Sequence, residues 1–458
     1  MKKIDFEHGG IAENILMAAF PMLIAQVLSL LYSIVDRIYI GRIPGAGTAA
    51  LGAVGLCFPI IMIISGFTNL YGMGGAPLYS MELGRGNLEK ARQYQNTSFR
   101  FLVITAVVIT LACELFGRKL LALFGATAAE IPDAHAYLQI YAAGTIFFMI
   151  SSGLNPFLNA QGYASAGMLS VTIGALTNLA LDPVFIFVLG LGIRGAAAAT
   201  VLSQFLSFAF VMRFYLDKRG KHAHSDDPLT FAFRFPGAKD ILGLGISSFV
   251  MQATNSLVQI TCNRMLMQFG GAMYISVMTI VSSVRSILDV PAQAVTEGAS
   301  PTISYNYGAR RAGNVRKAMK LTIALAVSYT AAAWLVVLFF PEFFVRIFSN
   351  DPKLLEPGAR ALHLYFFAFL FQALQYSGQT FFKALGKKKQ TIFFSLLRKA
   401  VLVVPLTLIL PTVFGLGTDG VFMAEPISNV IGGTACFVTM LCTVLPELSR
   451  MEEDKESA

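Results

Sequence analysis

The chain has 458 residues, of which 55% are hydrophobic and only 13% charged. A water-soluble protein of this size carries about 25% charged residues, so a conventional soluble enzyme, a disordered chain, a collagen and a small disulfide-framed domain are all excluded. The net charge of +9 reads, in so apolar a chain, as basic loops held against anionic lipid rather than as a nucleic-acid surface.

The N-terminus, MKKIDFEHGG, is polar and runs directly into a full-length apolar stretch, unlike a cleavable leader. Asp, Glu, Lys and Arg are then absent from 14–35, 43–81, 134–181, 195–212, 241–263, 265–284, 321–341, 361–382, 401–418 and 426–446. A membrane-crossing helix needs about 20 apolar residues, so the longest of these runs hold two helices joined by an uncharged turn. The pattern predicts twelve spans, at 14–38, 48–74, 96–116, 134–156, 165–189, 195–216, 240–268, 274–299, 317–340, 359–382, 390–413 and 420–444. With both termini inside, the inner segments collect most of the Lys and Arg, among them Arg85, Lys90, Arg92, Arg310, Arg311, Arg316, Lys387, Lys388 and Lys389. This asymmetry orients the chain with both ends in the cytoplasm. The expected product is an all-α integral protein of the plasma (inner) membrane. Its parts are an N-terminal six-helix lobe (1–216), a cytoplasmic linker (217–239), a C-terminal six-helix lobe (240–447) and a cytoplasmic tail (448–458).

The halves repeat. A shift of 224 pairs Pro77 with Pro301, Gly84 with Gly308 and Gly162 with Gly386; a shift of 225 pairs Gly190, Gly192 and Gly195 with Gly415, Gly417 and Gly420. Gly and Pro matches in order, at nearly constant offset, indicate two homologous six-helix lobes. Because six is even, both lobes enter from the same face, as in parallel-repeat transporters. The run Gly190–Gly195 fits GxGxxG, but it joins two apolar helices and recurs at 415–420, so it is a tight interhelical turn and not a dinucleotide site. No GxxxxGK[ST] phosphate loop occurs, and the five cysteines and five histidines form no metal-spaced set. No cofactor and no enzymatic constellation are expected.

Charges inside the spans are the exceptions that point to function, since each costs at least about 2.5–3.5 kcal/mol to insert. Asp36 lies near the end of the first span and Asp182 within the fifth. Asn178 and Asp182 are four residues apart and share a helix face, and Pro183 leaves a carbonyl one turn earlier without its donor. Arg285 and Asp289 are likewise i and i+4 in the eighth span, which also holds Glu297; Glu425 lies in the last. These four are read as an internal ion pair or as a substrate or gate contact of the C-terminal lobe.

The runs Ala19-Phe-Pro21 with Ile34-Val-Asp36-Arg37-Ile-Tyr-Ile-Gly41, Asn178-Leu-Ala-Leu-Asp182-Pro183, Gly195-Ala-Ala-Ala-Ala-Thr200 and Pro301-Thr-Ile-Ser-Tyr-Asn306-Tyr-Gly308 resemble the multidrug and toxic compound extrusion (MATE) transporters, and the whole pattern is similar to their bacterial MepA-like branch. The resemblance implies twelve transmembrane helices in two six-helix bundles forming a V-shaped cleft. It also implies export of amphipathic, often cationic compounds by antiport with Na⁺ or H⁺. It assigns Asp36, Asn178, Asp182, the backbone carbonyl of Ala196 and the Thr200 hydroxyl to a coupling-cation site, and Pro21 to the bending of the first helix. Relatives with a second-lobe cation site carry acids in the seventh and tenth helices, where this chain has Gln252, Asn255, Gln372 and Gln375. Two carboxylates with amide, hydroxyl and carbonyl oxygens form an all-oxygen set that suits a hard cation. The same two carboxylates repel one another and can instead share a proton. The expected partners are small organic cations or drugs and membrane lipid, with no nucleic acid and no obligate second chain. A flippase for a lipid-linked precursor is the alternative; it wants a strongly cationic cavity, for which the span interiors offer chiefly Arg285 and Arg398.

Overall fold

A computed structural model describes residues 3–124, 126–128, 130–216, 229, 234–348 and 351–456. The predicted linker at 217–239 falls largely outside the described residues. Everything regular among those described is helical. In chain order the first six helices are α1 (Ile11–Gly41), α2 (Gly47–Gly84), α3 (Leu88–Leu123), α4 (Ile131–Ala160), α5 (Ala164–Pro183) and α6 (Gly192–Leu216). They are followed by α7 (Ala238–Gly271), α8 (Met273–Gly308) and α9 (Ala312–Phe339). A short α10 (Pro341–Phe348) precedes α11 (Pro352–Phe366) and α12 (Phe369–Ala384). The last two are α13 (Lys388–Thr412) and α14 (Gly417–Asp454). Eleven helices among the described residues are long and apolar enough to cross a bilayer, which makes this a multi-pass membrane protein.

The tenth predicted span, 359–382, corrects to two pieces. Ala368 leaves helical geometry (φ −117°, ψ 27°) between α11 and α12, although no Gly or Pro marks the break. Elsewhere helices continue through proline. The α1 helix runs unbroken across Pro21, and α5 passes Pro183 into a π-helical turn at Val184–Val188. Two further π turns, Leu397–Val403 in α13 and Asn429–Gly433 in α14, interrupt the last helices.

The chain forms two compact units. One comprises Ile24–Glu82 and Asn87–Gly245 with the first residues to Ile4; the other comprises Asp5–Leu23, Leu83–Gly86 and Ile246–Ala458. These boundaries differ from a simple division near 216–240, and packing gives the reason. Ile15 lies in one apolar cluster with Ala299, Ile303, Val315 and Phe381. A side chain at Gly298 would collide with the backbone of Ala19. The N-terminal part of α1 is therefore core material of the second unit.

Small residues set the spacing inside the first unit. Ala196, Ala197 and Ala199 on α6 are fully buried, and such residues let membrane helices approach closely where no hydrophobic effect drives them together. The repeat seen in sequence recurs in the backbone. Gly190 and Gly192 take φ of 65° and 55°, and Gly415 and Gly417 take 68° and 54°, a left-handed path open to glycine. The GxGxxG run is thus a turn between helices in each half.

Candidate functional site

The first unit holds a polar group in its interior. Asp182 is fully buried and Asn178, one turn earlier on α5, is 2% exposed. The Asn178 amide Nδ2 donates to Asp182 Oδ1 at 3.1 Å and reaches Thr200 Oγ1 on α6 at 3.4 Å. Asp36, carried by α1, comes within hydrogen-bond reach of the Asp182 carboxyl. Three oxygens in this group are buried without a donor: Asp36 Oδ1, Asp182 Oδ2 and Asn178 Oδ1. Buried polar atoms are nearly always satisfied, and facing carboxylates repel unless a proton or a cation lies between them. Ala196 is buried one turn before Thr200, packed with Ile40 and Ile186. Of the residues assigned by resemblance, Asp36, Asn178, Asp182 and Thr200 come together. Pro21 belongs to the other compact unit.

Three tyrosines around this group escape the sequence. Tyr32 on α1 and Tyr137 and Tyr141 on α4 all lie in the electrostatic range of Asp36. Tyr32 is four residues before Asp36, so helical spacing alone puts the two on one face. For Tyr137 and Tyr141 only the packing of α4 reveals the proximity.

The second unit holds a larger network. Glu425 Oε1 on α14 takes three bases: Lys399 Nζ at 2.7 Å, Arg285 Nη2 at 2.9 Å and Arg398 Nη1 at 3.0 Å. Arg285 Nε also pairs with Asp289 Oδ2 at 3.1 Å, and Arg285 donates to the Tyr365 hydroxyl. Gln372 on α12 donates to Asp289 Oδ1 at 2.9 Å and contacts the Tyr376 hydroxyl. Asn429 accepts from Arg398 at 2.8 Å and reaches Gln372 at 3.4 Å. Adjacent residues on a regular helix point about 100° apart. The wider π turn at Leu397–Val403 narrows that angle and lets Arg398 and Lys399 both face Glu425.

Of the four C-terminal candidates, Arg285, Asp289 and Glu425 meet. Glu297 does not join them: it stands two turns beyond Asp289 on α8, within electrostatic range of Lys383. Lys399 is the residue that sequence reasoning passed over, although a Lys next to Arg398 in an apolar run was its signal. Among the described residues no three His, Cys, Asp or Glu side chains converge as a transition-metal site would require.

Comparison with known proteins fits this architecture. The MatE family model matches residues 21–184 and 247–409, one stretch in each half. The multidrug export protein MepA of Staphylococcus haemolyticus is 24% identical over 99% of this chain and 97% of its own length. The FAD transporter of Shewanella oneidensis is 23% identical over 93% of the chain and 94% of its own length. A crystal structure of MATE in the bent conformation superposes with a TM-score of 0.90 at 24% identity, covering 99% of both chains.

Proposed function

Because the chain belongs to the MatE family of membrane transporters, we propose that it is a secondary multidrug exporter that expels amphipathic organic cations in exchange for inward-moving Na⁺ or H⁺. The observation that supports this most is the pair of facing carboxylates, Asp36 and Asp182, with Asn178, inside a membrane-embedded bundle and with three oxygens short of a donor. Such a group costs several kcal/mol to bury. A monovalent cation or a proton offsets that cost and so binds there. If the ion favours one arrangement of the transporter over another, its binding shifts the population between them; equal affinity would shift nothing.

The energetics suffice without ATP. Exchange of one organic cation for one Na⁺ or H⁺ moves no net charge, so an ion concentration gradient of about tenfold, about 1.4 kcal/mol, sustains a substrate gradient of about tenfold. A second inward ion would add the about 2.3 kcal/mol of 100 mV. In this reading the protein sits in the plasma membrane, both termini face the cytoplasm, and one chain is a complete transporter. The exporter name carried by the staphylococcal relative agrees.

Reconstituted vesicles loaded with a fluorescent organic cation test the proposal. A Na⁺ gradient or a pH gradient, imposed separately, drives uphill movement in the wild type, and Asp36→Asn and Asp182→Asn each abolish it while the protein still inserts. Unchanged gradient-driven transport in both variants refutes the site; no gradient-driven transport in the wild type refutes antiport.

A further inference from the structure

The cluster around Glu425 does not balance. Arg285, Arg398 and Lys399 bring three positive charges, and Glu425 and Asp289 bring two negative ones. All three bases crowd a single carboxylate oxygen, while the second acid, Asp289, is engaged by Arg285 and Gln372. The side chains of Lys399 and Glu425 are each 4% exposed and that of Arg398 is 6% exposed, while Asp289 is 10% and Arg285 18% exposed at the edge of the cluster. A net charge so largely buried carries a desolvation penalty of several kcal/mol, and among the described residues no further acid joins the cluster to offset it. The two guanidinium groups cannot lose a proton, but an ammonium can. The neighbours of Lys399 are Arg398 on its own helix, Glu425 on α14, Arg285 on α8 and Cys262 on α7. Asp289, Tyr365 and Tyr376 stand one shell further out, around Arg285.

We propose that Lys399 is a second exchangeable-proton site, in which the ammonium gives its proton to water when a monovalent organic cation enters the second unit and recovers it when the cation leaves. With Lys399 neutral, the two arginines and two carboxylates cancel, and the unit accepts an external positive charge. With Lys399 protonated, the surplus charge repels that cation. Proton and substrate thereby exclude one another through charge alone, with no shared ligand. This rests on the organic-cation reading above, but it involves neither Asp36 nor Asp182, and its proton is counted separately from theirs.

Calorimetry on the full-length protein in detergent, with tetraphenylphosphonium as the probe, tests it. Titration in buffers of different ionisation enthalpy gives the protons released per cation bound. The count in Lys399→Met falls below the wild-type count by roughly one, because the contribution of the Asp36–Asp182 pair cancels between the two proteins. Lys399→Met, which has no proton to give up, binds more tightly than the wild type at the same pH, by about tenfold where the wild type releases nearly one proton. Lys399→Arg, whose charge cannot be lost, binds at least about tenfold more weakly, the effect of one unrelieved like charge. If Lys399→Met fails to fold, the weakened binding of Lys399→Arg still decides the matter. An unchanged proton count in Lys399→Met, or wild-type affinity in Lys399→Arg, overturns the proposal while leaving the exporter reading intact. Absence of cation binding by the wild type overturns both.

Discussion

Asp182 and Glu425 are both buried carboxylates in membrane helices, and their surroundings give opposite consequences on neutralisation. Asp182 faces another carboxylate and one amide donor, so removing its charge relieves repulsion. Asp182→Asn should raise the unfolding temperature of the ion-free protein by the equivalent of about 1–3 kcal/mol, the cost of an unsatisfied buried group. It should also erase any stabilisation by added Na⁺; both are read by thermal unfolding in choline and in sodium buffer. Glu425 holds three bases, so Glu425→Gln leaves them uncompensated and should cost about 3–5 kcal/mol. Adding Lys399→Met to Glu425→Gln should recover part of that loss, because the two sites share one contact and are not additive. Purely additive losses in that double-mutant cycle would show that Lys399 and Glu425 do not act as a pair.

At the scale of the helix, how much was legible depended on whether the cause was local. The Gly190/Gly192 and Gly415/Gly417 turns were readable, because positive φ selects glycine and the selection repeats in the second half. The Asn178–Asp182 contact was readable from i, i+4 spacing, and it forms at 3.1 Å. Asp36 was placed beside them by family resemblance, since nothing within α1 states which helix it faces. The Lys399–Glu425 pair was not legible: the residues sit on different helices, and a π turn, which no residue type announces, aims the lysine. The break at Ala368 was equally silent. Close helix approach, in contrast, shows in the glycines. A Cβ at Gly245 on α7 would fall 1.8 Å from the Leu70 carbonyl oxygen of α2, whereas one at Gly55 on α2 meets nothing within 4 Å. Gly245→Ala should therefore destabilise the protein by about 1–3 kcal/mol, the usual cost of overpacking, and Gly55→Ala should be neutral or slightly stabilising. Thermal unfolding of the two single variants compares them directly.

For the molecule as a whole, the broken tenth span decides where the chain ends. A bilayer core is about 30 Å thick, and a helix rises about 1.5 Å per residue. The 15 residues of α11 and the 16 of α12 therefore reach only roughly 22–24 Å each, too short to cross separately but sufficient together. Counted as one crossing, they join the eleven long helices to make an even total, and the C-terminus returns to the side of the N-terminus. If α11 and α12 instead formed a re-entrant pair, the total would be odd, and the last helix would exit on the opposite side. The basic residues favour the first arrangement, because Lys387, Lys388 and Lys389 lie at the junction of α12 and α13 and basic residues stay in the cytoplasm. Alkaline phosphatase, active only outside the inner membrane, should be inactive when fused after Glu456 or inserted beside Arg85, and active when inserted at Gly45. Green fluorescent protein fused at the C-terminus should fluoresce. An active phosphatase at the C-terminus together with an inactive one beside Arg85 would show that α11 and α12 turn back within the bilayer.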